Sequence, residues 1–280
     1  MSFVQFFSRY AGVVVGKLQT VNGSDDNAFA YGKGDAQFFN LAFNLNPVAL
    51  VVPYSTLGAG LIVVPTANPD EAVLTFNVLS ATGEASTAGF DSFNGAIFAA
   101  GGRVRTGFFG LTGHQLVGSL YSNKSYTSVD QRLAFIIGNR ALAKRDGTWG
   151  VYYNFDQYLY ESAPGSEKGI GLFGRFGASQ GDPVPVQYFY SLGFGAKGLI
   201  AGRELDQFGL GYYYSGINNP TFQKRDQTLT FLRDEWGVEA YYNVAVTPWL
   251  LLTPDVQVIG PASRGVATAT VVGFRGQVVF

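Results

Sequence analysis

The chain has 280 residues, of which 47% are hydrophobic and 15% aromatic, and it carries 37 glycines and a net charge of −1. The absence of cysteine excludes a disulfide framework, a thiolate zinc site and a cysteine nucleophile. A single histidine, His114, excludes a multi-histidine metal site, and the near-neutral charge gives no indication of nucleic-acid binding. This composition is typical of a β protein rich in glycine and aromatic residues.

The first ten residues, Met1 to Tyr10, contain no basic region followed by a small-residue cleavage site, so we do not expect a secretory signal peptide there. The longest apolar run, near 47–53, is too short to cross a bilayer as a helix, which needs about 20 apolar residues. We therefore expect no transmembrane helix. A transmembrane β-barrel stays open, because each of its strands needs only about ten alternating residues.

Apolar and polar residues alternate along most of the chain. In the last segment Val272, Phe274 and Val278 lie on one face, whereas Arg275 and Gln277 lie on the other. A period of two residues is typical of β-strands. The alternation predicts about a dozen strands, with a further short strand at 3–8. The longer segments lie near 10–18, 57–65, 70–80, 93–108, 113–124, 147–160, 168–179, 185–197, 206–216, 234–246, 249–259 and 267–280.

Tight and long connections alternate between these strands. Residues 111–113 and 247–248 are tight turns, whereas 19–53, 125–146 and 216–233 are long and polar or mixed. Outer-membrane barrels have short turns at one rim and long loops at the other. The expected fold class is therefore all-β, an antiparallel transmembrane β-barrel of about 12–13 strands with short periplasmic turns and long extracellular loops. Helix is expected only in loops such as 128–144.

A soluble β-sandwich lectin is the alternative, because half-buried soluble strands also alternate. The polar faces of such a protein meet bulk water and are usually rich in lysine, glutamate and threonine, whereas here they consist largely of glycine, serine, glutamine and asparagine. The apolar faces also end in aromatic residues, as interfacial girdles do. These aromatic residues are Trp236, Trp249, Tyr188, Tyr190, Tyr212, Tyr214 and Phe280.

Several segments, in collinear order over nearly the whole chain, resemble the carbohydrate-selective porins of Gram-negative outer membranes, the OprB-like group. The closing stretch, which contains Ala245-Val246-Thr247-Pro248-Trp249-Leu250, carries the resemblance most specifically. The segments are 53–60, 101–106, 113–115, 121–124, 153–158, 169–177, 208–214 and 235–259.

The resemblance implies a single porin domain over residues 1–280, in a sixteen-stranded barrel that admits sugars passively. It also implies an integral protein of the outer membrane that needs no cofactor and no ATP. The implied partners are small neutral sugars, outer-membrane lipid, and the barrel assembly machinery through the C-terminal strand ending in Phe280. No nucleic acid is expected among them.

The chain departs from the family pattern at its N-terminus. Family members carry a signal peptide and several more strands before the matched region. An unpaired strand edge facing lipid costs several kcal/mol for each bare backbone group. We therefore expect the chain either to be an incomplete barrel or to close as a smaller barrel of about twelve strands.

A barrel of sixteen strands has a backbone diameter of roughly 30 Å, so a loop must fold inward to select among sugars. The segment 19–53 is the natural constriction, because it combines carboxylates, amides and aromatic rings, which bind hydroxyls and pack on C–H groups. Its candidate substrate-contacting residues are Lys33, Asp35, Gln37, Phe38 and Asn40. The alternative is a solvated surface loop with local Asx turns.

Alternation also places charged and amide side chains on the interior of the predicted barrel. Two arginines at successive inward positions, Arg103 and Arg105, suit paired hydroxyl acceptors of a sugar, because the guanidinium group is planar. The other lumen-lining candidates are Arg175, Glu239, Asn243, Asp255, Gln257 and Arg275. For Glu239, Asp255 and Arg275 a structural ladder between neighbouring strands is the favoured interpretation.

The remaining motifs indicate no chemistry. His114 follows a tight turn and is expected near the membrane interface, so a His114-dependent barrel enzyme is a remote alternative and no catalytic residue is assigned. The acidic pairs Asp25-Asp26 and Asp234-Glu235 are interpreted as solvated rims, and no metal site is assigned. The many glycines suit a wall on which a neighbouring aromatic ring lies flat. The predicted function is a passive channel for glucose-like sugars; a general diffusion porin or a weakly conducting structural barrel is the main alternative.

Overall fold

The structure, a computed structural model, describes residues 2–20, 27–31, 37–83, 94–132, 141–219, 222–224, 227–229 and 231–279. The strands in chain order are β1 Ser2–Ser8, β2 Ala11–Gln19, β3 Ser55–Val63, β4 Ala72–Ser80, β5 Ala96–Thr106, β6 Gly113–Thr127, β7 Gln131–Arg132, β8 Lys144–Glu161, β9 Gly169–Ser179, β10 Val186–Lys197, β11 Gln207–Ile217, β12 Phe222–Lys224, β13 Gln227–Leu229, β14 Glu235–Thr247, β15 Leu250–Gly260 and β16 Ala269–Val278. Three 3₁₀-helices lie at Leu41–Phe43, Pro47–Ala49 and Phe108–Gly110.

Thirteen strands form one antiparallel sheet, in the order β1-β2-β3-β4-β5-β6-β8-β9-β10-β11-β14-β15-β16. Each strand of this sheet pairs with the strand of the same sheet that follows it along the chain. The short strands β7, β12 and β13 form a separate three-stranded sheet. The prediction of an all-β meander of 12–13 strands is therefore confirmed. Among the residues that the structure describes, no helix is long and apolar enough to cross a bilayer.

The expected helix within 128–144 falls largely on residues 133–140, which lie outside the described residues. On either side of them Gln131–Arg132 forms β7 and Lys144 begins β8, so the described chain is extended at those points. The side chain of Gln131 accepts a hydrogen bond from the backbone N–H of Ala143 at 2.9 Å and holds the two arms of the loop together. Helical turns occur where asparagine side chains cap them, as Asn40 does before Leu41 and Asn46 before Pro47.

Side chains alternate between two faces of the wall, as the sequence period requires. On β9 the inward face includes Phe173 and Arg175, both fully buried, whereas Leu172 and Phe176 are exposed on the outward face. The same parity holds on β14, where Glu239 and Tyr241 are buried and Ala240 between them is exposed. The outward face is thus apolar, while the inward face carries the polar groups.

Aromatic rings gather at both rims of the outward face. The rings of Tyr188 and Tyr214 stack at a centroid distance of 6.1 Å where the long loops begin, and Tyr190 stacks on Tyr214 at 5.3 Å. At the rim with the short turns, the rings of Phe208 and Tyr242 stack at 5.9 Å. Girdles of this kind mark the two membrane interfaces of a barrel.

The main hydrophobic core lies inside the wall. Its buried residues come from the connection between β2 and β3 and from the inward faces of β8 to β11 and β14. They include Phe38, Phe43, Phe173, Tyr213 and Tyr241. A smaller cluster around Leu79 and Leu120 packs against Val51 and Val52 of the same connection. The connection is therefore the element that fills the interior.

Glycines on the inward face of the wall contact the side chains of this connection. A Cβ atom on Gly211 would lie 2.6 Å from Cε1 and Cζ of Phe43, and one on Gly195 would lie 2.7 Å from Cβ of Phe29. Distances under about 3 Å do not occur for real side chains, so only glycine leaves room for these rings. The prediction that the glycines let aromatic rings lie flat on the wall is confirmed.

We expect Gly211→Ala to lower the free energy of unfolding by about 1–3 kcal/mol, because the new methyl group displaces the ring of Phe43. Thermal unfolding in detergent, followed by circular dichroism, measures the effect. Gly101→Ala is the matched control, since a Cβ there would lie 3.4 Å from its nearest neighbour, Oγ1 of Thr75. Equal losses in the two variants would contradict the role given to Gly211.

A buried carboxylate fastens the turn 198–206 at the short-turn rim. Oδ2 of Asp206 accepts hydrogen bonds from Nε of Arg203 at 2.9 Å and from the hydroxyl of Tyr242 at 2.8 Å, and Oδ1 accepts from the backbone N–H of Ala245 at 3.0 Å. Burial alone would raise the pKa of Asp206, but these hydrogen bonds outweigh it and leave the pKa below its ordinary value.

We expect Asp206→Asn to lower the thermal midpoint at neutral pH, with the difference from the wild type narrowing below about pH 4. The reason is that a folded pKa below the unfolded value gives stability above the unfolded pKa, which is lost as the pH falls through the folded pKa. Melting curves between neutral pH and about pH 3 test this. Asp70→Asn, in an exposed turn, is the control, and a difference of constant size across that range would refute the linkage.

Candidate functional site

A single segment between β2 and β3 occupies the inside of the wall. Residues 27–31 and 37–54, called the inward segment below, contact the inward faces of strands β8 to β11 and β14 to β16. Two of the predicted contact residues, Lys33 and Asp35, lie outside the described residues, and so does the acidic pair Asp25-Asp26. Four groups of contacts fasten the segment.

The first group holds the start of the segment to β8. Nδ2 of Asn27 donates to Oδ1 of Asn154 at 2.9 Å, and the backbone N–H of Ala28 donates to Oδ2 of Asp156 at 3.3 Å. Oδ1 of Asp156 lies 2.9 Å from Nδ1 of His114 on β6. The ring of His114 thus points inward near the short-turn rim, where it supports a carboxylate that positions the backbone of the inward segment.

The second group centres on Arg175, whose side chain is completely buried. Its guanidinium carbon lies 3.8 Å from the centroid of the Tyr31 ring, and Nη1 donates to the carbonyl oxygen of Leu45 at 2.7 Å. The hydroxyl of Tyr31 is 2.7 Å from Oγ of Ser191. A cation–π contact and a charge-assisted hydrogen bond therefore join two separate parts of the segment to β9.

The third group is formed by a buried glutamate. The carboxylate of Glu239 on β14 accepts the backbone N–H of Phe39 and, at 2.9 Å, that of Asn40. Nδ2 of Asn40 donates to Oε1 of Gln257 at 3.1 Å, and Nε2 of Gln257 donates to Oδ1 of Asp255 at 2.8 Å. A carboxylate that accepts two successive N–H groups holds this backbone in one position.

The neighbouring strand adds a cation. Nη2 of Arg275 on β16 donates to the carbonyl oxygen of Gln37 at 2.8 Å, and its guanidinium carbon lies 4.3 Å from the centroid of the Phe39 ring. Asn243 is buried on the same inward face of β14. Each of the strands β14, β15 and β16 thus binds the segment through one polar side chain: Glu239, Gln257 and Arg275.

The fourth group is an aromatic cluster. The ring of Phe38 is fully buried and lies 4.5 Å from Phe43, 4.7 Å from Tyr241 and 5.4 Å from Phe173, measured between centroids. Aromatic pairs with edge-to-face or offset geometry stabilise a fold in addition to the stabilisation that comes from burying their apolar area. Phe38 therefore anchors the segment and has no surface open to a solute.

Opposite these anchors a cavity of about 910 Å³ remains open between the inward segment and the inward faces of β1 to β6. From the segment, Tyr31, Asn44 and Asn46 are among the residues that line it, and from the wall Thr75 and Asn77 do so. Amide and hydroxyl groups on two opposing surfaces can bind a solute that carries several hydroxyls.

The two predicted arginines of β5 lie toward the short-turn rim. Nη2 of Arg103 donates to the carbonyl oxygen of Pro69 at 3.1 Å, and Nη2 of Arg105 donates to Oγ1 of Thr112 at 3.0 Å. Arg103 also lines the cavity, whereas Arg105 is exposed at the rim. The structure does not bring these two arginines together with Gln37, Phe38 and Asn40.

Sequence reasoning missed Tyr31, Asn44 and Asn46 among the segment residues that line the cavity. Their signal in the sequence was weak, since an aromatic residue and two asparagines are equally typical of a surface loop. The acidic pair at the start of β14 binds protein donors: Asp234 accepts from the hydroxyl of Tyr214 at 2.5 Å and Glu235 from that of Tyr213 at 3.0 Å. No group of three or more metal-ligating side chains occurs in the described part of the chain.

Comparisons with known proteins agree with this architecture. The high-pH structure of Pseudomonas putida OprB matches with a TM-score of 0.79 at 18% identity, covering 99% of this chain and 72% of that one. The low-pH structure of the same protein matches with a TM-score of 0.57 at 17% identity, covering 98% and 64%. At these identities the likeness shows the fold alone: an antiparallel β-barrel.

Sequence comparison is more specific. Porin B of Pseudomonas aeruginosa is 26% identical over 198 residues, which cover 61% of this chain and 42% of that protein, so the match spans less than half of the curated relative. The model of the "Carbohydrate-selective porin, OprB family" matches residues 1–280. The chain therefore belongs to the OprB family of carbohydrate-selective porins and is a β-barrel protein of the Gram-negative outer membrane.

Proposed function

We propose that the chain forms a passive outer-membrane channel for neutral, glucose-like sugars. The observation that carries the proposal is the inward segment, which is fastened to one half of the wall and leaves a cavity of about 910 Å³ beside the other half. Hydrogen-bonding groups on both sides of this cavity suit a polyhydroxylated solute. Neither a bound cofactor nor catalysis is required for such permeation.

We assign two roles within the segment 19–53. Gln37, Phe38 and Asn40 act as anchors, because they are bound to the wall or packed against it. Asn44 acts as a solute-contacting residue, because it lines the cavity and is only half-buried. The segment as a whole is then the constriction of the pore, and Glu239 and Arg175 hold it in place.

Outer-membrane lipid contacts the outward apolar face in this proposal, and the barrel assembly machinery binds the C-terminal strand. Phe274, with 69% of its surface exposed, and Val272, with 77%, give β16 an outward apolar stripe, which is what lipid requires. The terminal residue Phe280 lies outside the described residues. Deletion of that residue followed by assembly in vivo tests the second partner.

Single-channel recording in a planar bilayer, with glucose titrated into the bath, tests the proposed function. We expect discrete openings whose conductance falls in a saturable way as glucose rises. Openings that glucose never blocks would indicate a general diffusion porin, in which Arg103→Ala changes ion selectivity only. Irregular leak without discrete openings would exclude a conducting channel for this chain.

A further inference from the structure

The inward segment divides the interior into two chemically different halves. It covers the charged half: Asp156, Arg175, Glu239 and Asp255 are each at most 2% exposed. The cavity lies on the other side of the segment. Among the described residues that line this cavity, Arg103 carries the one charged side chain, and it lies toward the short-turn rim. The described residues around the middle of the cavity are therefore uncharged.

The largest part of the wall on the cavity side is aliphatic. Val14, Ile62 and Val73 are half-buried, come from three successive strands and line the cavity. Leu116 and Leu120 of β6 continue this surface. In the register of the sheet Ile62 lies beside Thr75 on the next strand, so this polar residue of the wall has an aliphatic neighbour. Across the cavity the inward segment contributes Asn44, and Asn77 lies beside Thr75 among the polar residues of the wall.

We infer that the preferred solutes of the cavity are neutral glycosides that carry an apolar substituent, such as an aryl or alkyl group. The sugar ring of such a solute binds the polar lining residues Asn44, Thr75 and Asn77, while the substituent lies on the aliphatic residues of β2 to β4. This inference rests on the proposed sugar channel and narrows its solute class. Removing apolar surface from water on both the solute and the wall supplies the preference.

Block of single-channel current by three probes tests the inference: glucose, methyl glucoside and phenyl glucoside. We expect phenyl glucoside to reach half-block at a concentration about tenfold lower than methyl glucoside, because the phenyl ring buries additional apolar area. Methyl glucoside carries the same sugar and a minimal substituent, so the ratio between the two isolates the contribution of the aliphatic wall.

The combined variant Val14→Thr, Ile62→Thr and Val73→Thr replaces apolar groups by hydroxyls while keeping β-branched side chains that suit strands. We expect it to bring the two half-block concentrations within about twofold of each other. Val73→Thr alone gives a smaller change in the same direction and serves if the combined variant does not insert. Val78→Thr, on the outward face of the same strand, is the matched control and keeps the wild-type ratio.

Three outcomes contradict the inference in distinguishable ways. If phenyl and methyl glucoside block the wild type equally well, the aliphatic wall has no role and the sugar channel itself stands. If the Val73→Thr and Val78→Thr variants change the ratio equally, the preference arises elsewhere than at the cavity wall. If none of the three probes blocks the channel, the proposed sugar function fails and the inference fails with it.

Discussion

Glu239→Ala is expected to open the channel. The carboxylate of Glu239 is completely buried and accepts the backbone N–H groups of Phe39 and Asn40. Truncation to alanine leaves both donors without this acceptor and costs about 2–4 kcal/mol of the energy that holds the segment. We expect single-channel conductance to rise severalfold and saturable block by glucose to disappear, because the constriction no longer has one position.

Glu235→Ala is the matched control for this experiment. Glu235 lies on the same face of β14, but its carboxylate accepts the hydroxyl of Tyr213 at 3.0 Å and the backbone N–H of Ala262 at 3.3 Å. It should keep the wild-type conductance and glucose block. Glu239→Gln, which retains one acceptor oxygen, should fall between wild type and alanine. Unchanged conductance and block in Glu239→Ala would show that the inward segment does not define the pore.

The sequence predicts the wall well because one physical rule governs it. Each strand of a membrane barrel has an outward and an inward face, and its side chains alternate between them with a period of two. Within one strand, odd-numbered residues therefore lie on one face and even-numbered residues on the other. This rule places Arg175 and Glu239 on the inward side, where the structure has them. Strand ends are less predictable: β8 begins at Lys144, a few residues before the apolar alternation starts, because polar residues extend the strand beyond the membrane.

The inward segment could be predicted to exist but not to have these contacts. Its length and composition indicate a constriction, yet an irregular segment has no period from which a buried face can be read. Phe38 and Asn44 are six residues apart; one is sealed against Phe173 and the other faces the cavity. Which of the two residues is buried depends on how the segment packs against strands more than a hundred residues away, and the sequence does not contain that information.

His114 shows the same limit at a single residue. Its position after a short turn correctly suggests a place near the rim. Its partner Asp156, 42 residues further along the chain, becomes a neighbour only through the antiparallel register of β6 and β8, which pairs the two residues directly. The alternation of the sequence places both side chains on the inward face. It does not predict the hydrogen bond from the backbone N–H of Ala28 to Asp156, through which the pair holds the inward segment.

Phe38→Ala is expected to destabilise the barrel interior by about 3–5 kcal/mol. The ring is fully buried and in contact with Phe43, Phe173 and Tyr241, so its removal leaves a cavity and ends three aromatic contacts. Because these contacts join the inward segment to the wall, the loss should release the segment before the wall unfolds. We expect a lower thermal midpoint in detergent together with faster proteolytic cleavage between β2 and β3.

Two variants separate this effect from a general loss of apolar area. Leu41→Ala removes a side chain from the same segment, but Leu41 is 66% exposed, so its loss should change neither the midpoint nor the cleavage rate. Phe38→Leu keeps most of the apolar volume and should cost less than Phe38→Ala, since it loses the ring geometry alone. If Phe38→Ala lowers the midpoint while the cleavage rate stays at the wild-type value, the aromatic cluster stabilises the wall and the segment is held by its polar contacts, with Glu239 and Arg175 as the sufficient anchors.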